Sequence, residues 1–433
     1  MNVPANRRLF IGIDLGTSGI RVCAIDSERK IHSSHSVDLP TPPTMGARFE
    51  QHPTLWWEAL TKSLHGLIEN IPAKDVAAIA IDGTSGSILL SDNDGNPIGP
   101  ALMYRDARAT AEAALISKLA PPESAAHGPS SGLAKLLWLS NHTESSFDRV
   151  LNQADWIMGR LSGNYGISDE NNCLKLGYDP IRRCWPEWIK DLSLEPRRLP
   201  RVYPIGQSQL SIDRDIADRF GLPDSTRIVT GTTDSIAALL ATGARAPADA
   251  VTSLGSTLVL KVISTRPVFA PEYGIYSHRL GDLWLAGGAS NSGGAVLRQY
   301  FTQQQLRAMT PELHPDRPTG LDYYPLTATG ERFPQANPGL RPRLSPRPSD
   351  PVRFFQGMLE GIAEIEKQGY QKLWSLGAPY PRTVRSVGGG AANIAWTKIR
   401  QRRLEIDIIS AEHPEAAYGA ALLARYGIIG DSL

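Results

Sequence analysis

Residues 11–26 read IGIDLGTSGIRVCAID, and this stretch decides the fold of the 433-residue chain. Apolar runs at 9–13 and 21–25 flank a polar turn at 14–19 that contains two glycines. Two β-rich runs joined by such a turn predict a β-hairpin at the start of the chain.

The turn of this hairpin carries side chains suited to phosphate and metal chemistry. Its small residues would let backbone N–H groups approach phosphate oxygens, and Thr17 and Ser18 would add hydroxyl donors. Asp14 ends the first strand, where it could hold Mg²⁺ through water. An ordinary hairpin whose aspartate caps the turn is the alternative.

The bulk composition is that of a globular protein, with 41% hydrophobic and 21% charged residues. The length predicts two domains, because soluble domains usually have roughly 100–200 residues. The formal net charge of +1 gives no long-range field to attract nucleic acid or an anionic membrane, so we expect neither as a partner. Three scattered cysteines suit a reducing compartment, and no segment is long and apolar enough to span a bilayer. We therefore expect a cytoplasmic protein.

A second turn of the same kind lies in the other half of the chain. The segment SLGST at 253–257 resembles DLGTS at 14–18, and both precede an apolar strand that contains a basic residue. A similar unit near the start of each half predicts a duplicated architecture.

Asp234 lies between a predicted strand and a predicted helix. The strand at 227–230 runs into Gly-Thr-Thr-Asp, and an Ala/Leu-rich helix follows. A carboxylate at a helix N-terminus is electrostatically stabilised and stays ionised near neutral pH, so it is available to accept a hydroxyl proton. Plain helix capping by Thr233 or Asp234 is the alternative.

Two further glycine-rich turns each precede a predicted helix. The segment at 283–301 reads LWLAGGASNSGGAVLRQYF, and the segment at 386–396 reads SVGGGAANIAW. The second helix begins near Asn393 and would offer free N–H groups to an anion. The chain has no Walker-type lysine and no serine hydrolase elbow.

Taken in order, these segments resemble the FGGY carbohydrate kinases of the actin/hexokinase/Hsp70 superfamily. The resemblance rests on motifs spread from residue 11 to residue 427: IDLGTSG at 13–19, GTTDS at 231–235, SLGST at 253–257, AGGASN at 286–291, GERFP at 330–334, GGG at 388–390 and PEAAYGAALLA at 414–424. It implies an α/β fold of two actin-like (ribonuclease H-like) ASKHA lobes with a central interdomain cleft. The expected sugar-binding lobe is 1–241, the expected nucleotide-binding lobe is 242–414, and the helix at 415–433 is a candidate to pack back on the first lobe.

Within the family, the chain looks most like the compact D-ribulokinase group of cyanobacteria and plants. The pointers are IDGTSG at 81–86, LKLGY at 174–178 and LDYYP at 321–325. Typical xylulokinases carry Gln-x-His-Gly where this chain has GTSG at 83–86, which makes xylulose less favoured. The segment YRDAR at 104–108 resembles the family's Trp-x-Asp-x-Arg stretch, with Tyr replacing Trp.

The resemblance also implies roles for individual residues. Asp234 would be the catalytic base, and Asp14 would help to hold Mg²⁺ through water. The predicted substrate-binding residues are Asp14, Asp82, Ser85, Asp234 and, as a weaker candidate that could equally be a solvated lysine, Lys175. The predicted ATP- and phosphate-binding residues are Gly16, Thr17, Ser18, Gly255, Ser256, Thr257, Gly389, Gly390, Asn393 and Trp396.

The predicted activity is ATP-dependent phosphorylation of a ketopentose, with D-ribulose as the best candidate and ATP and Mg²⁺ as cofactors. Xylulose or another polyol or ketose is the alternative within the family, because turn chemistry does not separate sugars that differ at one stereocentre. An actin-like ATPase or assembly protein without a sugar substrate is the alternative of another class. A regulator that has lost activity is disfavoured, because Asp14, Thr17 and Asp234 are all present. We expect a monomer or homodimer.

Overall fold

The structure of the protein is a computed structural model that describes residues 8–42 and 46–430, except for the side chains of residues 208 and 209. The chain divides into two compact units, one formed by Met1–Ala241 with Glu415–Leu433 and the other by Thr242–Pro414. Residues 1–7 and 43–45 of the predicted sugar-binding lobe lie outside the described residues. So do residues 431–433 of the predicted C-terminal helix.

The first unit is built on a six-stranded sheet in the order β11-β12-β5-β1-β2-β3. Its strands β1, β5 and β12 run parallel to one another, while β2 and β3 continue from β1 as an antiparallel meander. The bounds of these strands are β1 Leu9–Leu15, β2 Gly19–Asp26, β3 Ile31–Asp38, β5 Val76–Gly83, β11 Ser208–Ser211 and β12 Arg227–Thr233.

Two smaller sheets complete the strands of this unit. A four-stranded sheet has the order β4-β7-β6-β8, and β9 pairs in parallel with β10. Their bounds are β4 Glu50–Gln51, β6 Ile88–Ser91, β7 Ala101–Leu102, β8 Arg149–Asn152, β9 Ile167–Asp169 and β10 Arg201–Tyr203. The α-helices of the unit are α1 Pro53–Ile68, α2 Thr110–Leu119, α3 Gly132–His142, α4 Gln153–Ser162, α5 Arg214–Phe220, α6 Asp234–Ala241 and α11 Ala416–Ile429.

The second unit has one six-stranded sheet in the order β15-β16-β14-β13-β17-β18. Its strands are β13 Asp249–Leu254, β14 Leu258–Ser264, β15 His278–Leu280, β16 Leu283–Ser290, β17 Thr383–Val387 and β18 Asp407–Ser410. Its α-helices are α7 Gly294–Tyr300, α8 Gln303–Met309, α9 Pro351–Ser375 and α10 Ile394–Leu404. The start of α9 has the usual signals of a helix N-terminus: the Asp350 side chain accepts a hydrogen bond from the N–H of Val352, and Pro351 is the first helical residue.

The two large sheets share one topology, which confirms the predicted duplication. In each, a three-stranded antiparallel meander is followed by two parallel strands added beside its first strand: β3-β2-β1-β5-β12 in the first unit and β16-β14-β13-β17-β18 in the second. The predicted hairpin of β1 and β2 is present, and its counterpart is the hairpin of β13 and β14.

Helix α11 lies directly against strand β1, which is buried along its whole length. A Cβ atom on Gly12 would lie 2.0 Å from the carbonyl oxygen of Ala417 in α11, so only glycine allows this close approach. A Cβ atom on Gly419 would likewise lie 1.8 Å from the carbonyl oxygen of Ala237 in α6. The C-terminal helix therefore belongs to the core of the first unit.

The segment at 77–98 has the sequence pattern of strand, turn and strand, and the structure has strands β5 and β6 there. The two strands do not pair with each other, because β5 lies in the six-stranded sheet while β6 pairs with β7 and β8 in another. The strong turn signal at 92–95 instead closes a short return, in which Ser91 bridges to Pro97. In the part of the chain that the structure describes, no helix is long and apolar enough to cross a membrane.

Candidate active site

Three carboxylates meet at the carboxyl edge of the first unit's central strands. Asp14 in β1 stands beside Asp82 in the parallel register of β1 and β5, and Thr232 in β12 stands beside Asp82 on the other flank. Asp234 follows β12 directly as the first residue of α6. The carboxyl ends of adjacent parallel strands are where α/β proteins bind ligands. The structure therefore brings together the predicted base, the predicted metal residue and one predicted sugar contact.

A β-bulge delivers Asp234 to this edge. The register of β12 against β5 shifts between Val229 and Thr232. A Cβ atom on Gly231 would lie 1.6 Å from the carbonyl oxygen of Ile81, so the bulge requires glycine at this position. The Asp234 side chain accepts a hydrogen bond of 2.6 Å from the backbone N–H of Ser235 at the start of α6.

Burial and negative neighbours make Asp14 a weaker acid than usual. Burial raises its pKa to about 6, the charge of Asp234 adds to the rise, and Arg21 opposes it. Nη1 of Arg21 lies 3.4 Å from Oδ2 of Asp14, directly across the β1–β2 hairpin. The Arg21 side chain is partly exposed, and its Nε also lies 3.4 Å from a carboxylate oxygen of Glu415.

Asp82 is the most deeply buried of the three acids. Neither of its carboxyl oxygens accepts a hydrogen bond from an N–H or hydroxyl group of the described residues. Burial raises its pKa well above the usual range, and the charges of Asp14 and Asp234 raise it further. Three carboxylates thus lie at this strand edge, and among the described residues the single guanidinium of Arg21 does not balance their charge.

The turn at 16–19 is tight and partly open to solvent. The N–H of Gly16 donates to the carbonyl of Gly19 at 3.0 Å, which closes the turn. Gly16 and Thr17 are half-buried and Ser18 is exposed, so their backbone and hydroxyl groups can be reached from outside. The hairpin of β1 and β2 thus places all three predicted phosphate contacts next to Asp14.

The turn at 83–87, which follows Asp82, is held from behind by a buried amide. Oε1 of Gln153 accepts hydrogen bonds from both the N–H and the hydroxyl of Thr84, at 3.0 and 2.7 Å. The hydroxyls of Thr84 and Ser87 lie 2.5 Å apart. Ser85, the predicted sugar contact, is half-buried at the tip of this turn.

Lys175 is not a solvated lysine. Its side chain is half-buried, and Nζ donates a hydrogen bond of 3.2 Å to the carbonyl of Ser85. The structure therefore places two of the predicted sugar residues in direct contact.

The loop at 103–108 is stabilised by an ion pair between Asp106 and Arg108. The buried carboxylate of Asp106 accepts from the N–H of Phe49 at 2.7 Å and from Nη2 of Arg108 at 2.6 Å. Arg108 also pairs with Glu50 at 2.6 Å. Tyr104, in the place of the family's Trp, is 41% exposed and meets Phe49 edge to face.

The second unit has its own glycine-lined cavity of about 600 Å³. Six of the ten predicted ATP and phosphate contacts line it, namely Gly255, Ser256, Gly389, Gly390, Asn393 and Trp396. Thr257 is exposed and is not among the lining residues. The other three predicted contacts belong to the 16–19 turn of the first unit.

Trp396 contributes to one wall of this cavity. The residue is buried, and its indole N–H has no hydrogen-bond partner among the described residues. A Cβ atom on Gly390 would lie 2.5 Å from the indole ring, so glycine lets the indole pack closely against this turn. Asn393 caps α10 by accepting from the N–H of Trp396 at 2.9 Å. Gly390, Asn393 and Trp396 thus form one wall of the cavity.

Arg298 supplies positive charge to the same cavity. It lines the cavity from α7, and its Nη2 donates to the Ser256 hydroxyl at 2.8 Å. A guanidinium beside a glycine–serine turn is suited to bind phosphate.

Sequence reasoning missed several residues that shape these sites. Arg21 could have been found, because it is the basic residue opposite Asp14 once the hairpin register is drawn. Gln153 lies in the region 99–226, where no motif marks it, and so does Lys135, whose Nζ donates to the carbonyl of Gly86 in the turn at 83–87. Arg298 lies in a helix that was predicted only as the flank of a glycine-rich turn.

No direct metal cage is present among the residues described. No group of three or more His, Cys, Asp or Glu side chains there is placed to hold a metal ion. The strand edge is suited instead to a hydrated cation, because Mg²⁺ usually keeps several of its waters and takes only one or two carboxylates.

Known proteins resemble this chain over nearly its whole length. The xylulose kinase of Escherichia coli (strain K12) is 24% identical over 442 residues, which cover 96% of this chain and 90% of that protein. The gluconokinase of Bacillus subtilis (strain 168) is 22% identical over 458 residues, covering 96% and 87%.

A solved structure shares the fold. The "xyloylose kinase" from Brucella ovis superposes with a TM-score of 0.89 at 23% identity, and the match covers 98% of this chain and 91% of that one. This likeness confirms the predicted class of two actin-like α/β lobes.

Both halves of the chain match one family. Residues 9–241 match the N-terminal domain of the FGGY family of carbohydrate kinases, and residues 250–428 match its C-terminal domain. The family and the enzyme class predicted from the sequence are thereby confirmed. The chain belongs to the FGGY family of carbohydrate kinases.

Proposed function

We propose that this kinase transfers the terminal phosphoryl group of ATP to a hydroxyl of a ketopentose, with D-ribulose as the best candidate and Asp234 as the general base. The observation that carries the proposal is the set of three carboxylates at the ends of adjacent parallel strands, with Asp234 at the start of α6. Phosphoryl transfer asks a protein mainly for positioning and for charge stabilisation.

Asp234 is suited to accept the proton of the attacking hydroxyl. The N-terminus of α6 favours its charged form, and its side chain is only half-buried. As the sugar oxygen bonds to the γ-phosphorus, the hydroxyl proton passes to the Asp234 carboxylate. The bond between the γ-phosphorus and the bridging oxygen breaks, and ADP leaves.

A hydrated Mg²⁺ fits the residues around Asp14. The raised pKa of Asp14, and the oxygens of Asp82 that lack hydrogen-bond donors, both mark negative charge that a cation would stabilise. Asp14 would hold the ion through water, and the bound ion would neutralise phosphate charge.

The cavity of the second unit suits the nucleotide. Gly255 and Ser256, with Arg298 beside them, would contact phosphates, and Gly389 and Gly390 would let the nucleotide approach the backbone closely. Trp396 and Asn393 would contact the base or the ribose.

The identity of the sugar rests on the turn at 83–87. This chain has Thr84 and Ser85 where typical xylulokinases have the Gln-x-His-Gly element, and this favours D-ribulose. D-xylulose is the second candidate, because several relatives at 22–24% identity are named xylulose kinases. Gluconate enters the test because one relative is named gluconokinase.

A substrate panel tests the proposal. Formation of ADP from Mg·ATP would be measured with D-ribulose, D-xylulose, L-ribulose, ribitol, glycerol and gluconate, each against a sugar-free control. We expect D-ribulose to give the highest kcat/KM, with a sugar phosphate found by mass spectrometry. A higher value for another sugar would overturn D-ribulose alone, whereas no stimulation by any member would overturn the kinase proposal.

A further inference from the structure

Lys135 is a buried lysine that pairs with no carboxylate of the described residues. Its side chain lies in α3 at 0% exposure, and Nζ donates to the carbonyls of Gly86 at 2.9 Å and Met103 at 2.6 Å. Removing a charged amine from water destabilises the folded protein unless hydrogen bonds compensate. Here two backbone carbonyls supply that compensation.

The first carbonyl belongs to the turn that follows Asp82. Gly86 has a φ of +82°, a conformation that favours glycine, and the N–H of Ser87 closes the turn on the carbonyl of Thr84 at 3.2 Å. Lys175 holds the neighbouring carbonyl, that of Ser85, at 3.2 Å. Two amines thus hold successive carbonyls and fix the orientation of both peptide planes.

The second carbonyl belongs to Met103, the first residue of the loop at 103–108. The carbonyl of Met103 also accepts from the N–H of Asp106 at 2.9 Å, and Asp106 in turn holds Arg108 and the backbone of Phe49. Lys135 therefore connects the turn at 83–87 with the loop at 103–108 through hydrogen bonds to one carbonyl in each segment.

We propose that Lys135 is a positioning residue for the acceptor sugar. By tying the 83–87 turn to the 103–108 loop it sets the affinity of the first unit for sugar, and it has no part in nucleotide binding. This inference rests on the proposed function, since it assigns the sugar to the turn that carries Ser85.

The cross-link does not depend on the charge of the amine. Burial lowers the pKa of Lys135 to about 7, Lys175 and Arg108 lower it as well, and Asp106 opposes them. A neutral amine still has two N–H groups, which is enough for the two carbonyls. The geometry can therefore persist on both sides of neutral pH.

The Lys135→Met variant removes the donors at nearly constant volume. We expect its KM for the sugar to rise about 10–100-fold, as follows from misplaced binding groups, while its KM for ATP stays within about threefold. Lys190→Met is the matched control, because Lys190 is an exposed lysine paired with Glu187 within one helical turn. It should leave both constants unchanged.

Two further measurements separate positioning from general stability. In the ligand-free Lys135→Met protein, hydrogen exchange should speed up in peptides covering 83–90 and 101–109 and stay unchanged in β13 and β14. In Lys135→Ala, added n-propylammonium should restore part of the sugar KM, because it replaces the deleted side chain.

The outcomes are distinguishable. A sugar KM that is unchanged in Lys135→Met, or equal losses for sugar and ATP, would overturn the inference and leave the proposed function standing. Wild-type protein that no sugar stimulates would overturn the proposed function and, with it, the role of Lys135.

Discussion

At the scale of single residues, the buried carboxylates of the candidate site destabilise the folded protein. Asp14 and Asp82 are buried side by side in register, and burial raises the pKa of each. The exposed guanidinium of Arg21 offsets only part of this charge. Such destabilising arrangements are common where chemistry takes place, because a functional charge cannot be chosen for stability alone.

Asp14→Asn should therefore raise the free energy of unfolding while lowering the activity of the protein. The pKa of Asp14 rises from 3.8 to about 6 on folding, so its contribution to stability is present below about pH 4 and is lost as pH rises through 6. At pH 8 in EDTA, we expect the variant to gain roughly 1–3 kcal/mol in urea unfolding, with the gain shrinking below about pH 5. The exposed control Asp224→Asn should change stability by less than about 0.5 kcal/mol. Lower stability of Asp14→Asn at pH 8 would contradict the assignment.

Residue-scale prediction from sequence depended on local motifs. Asp14 and Asp234 were chosen because each lies in a glycine- and threonine-rich turn beside a strand, and the structure places both at one strand edge. Gln153 and Lys135 were not, because they act through backbone contacts with segments far away in the chain, at 84 and at 86 and 103. The pattern of a single sequence shows local periodicity, but it does not show which distant segments a side chain contacts.

At the scale of elements, a buried ion pair joins helices α9 and α10. Arg400 donates to both carboxylate oxygens of Glu366, at 2.6 and 2.7 Å, and neither side chain is exposed. Glu366 also accepts from Thr252 in β13, and Arg400 donates to Ser386 in β17. These two strands lead into the glycine turns that line the cavity of the second unit, so the pair supports that cavity from behind.

Breaking this pair should cost far more than breaking an exposed one. Arg400→Met leaves a buried carboxylate without its partner and should destabilise the protein by about 3–5 kcal/mol in urea unfolding. Arg403→Met, which removes an exposed pair with Glu364 between the same two helices, should cost less than about 1 kcal/mol. Equal effects of the two variants would show that the buried pair has no special role.

Elements were predicted well when their pairing was local. The β1–β2 hairpin and the start of α9 follow from turn and capping signals next to them. The partners of β6 were not predicted, because β7 and β8 lie across a stretch without strong patterning. Alternation and turn residues can show that a strand exists, but they do not show which sheet it joins.

At the scale of the whole molecule, the end of the chain completes the first unit. Helix α11 packs on β1 and α6 through Gly12 and Gly419. Arg425 and Tyr418 also donate hydrogen bonds to the carbonyls of Ser27 and Arg29. The duplicated sheet topology was visible in the sequence only as two similar turns, since the rest of the two halves has diverged in pattern.

Removing residues 415–433 should unfold the first unit selectively. Hydrogen exchange should show β1 and β5 unprotected, because the apolar face beneath α11 is then open to water, while β13 and β14 keep their protection. A synthetic 415–433 peptide, added in excess, should restore part of the protection. Protection of β1 equal to that of the intact chain would refute this reading of α11.

Turnover by Asp234→Asn is the most direct test of the account. Sugar-dependent ADP formation would be compared for wild type, Asp234→Asn and the exposed control Asp224→Asn, with sugar affinity followed by calorimetry. We expect Asp234→Asn to lower kcat by roughly 10²–10⁴-fold with sugar and ATP affinities within a few-fold of wild type, and Asp224→Asn to behave like wild type. Near-wild-type turnover by Asp234→Asn would contradict the assignment of this carboxylate as the base.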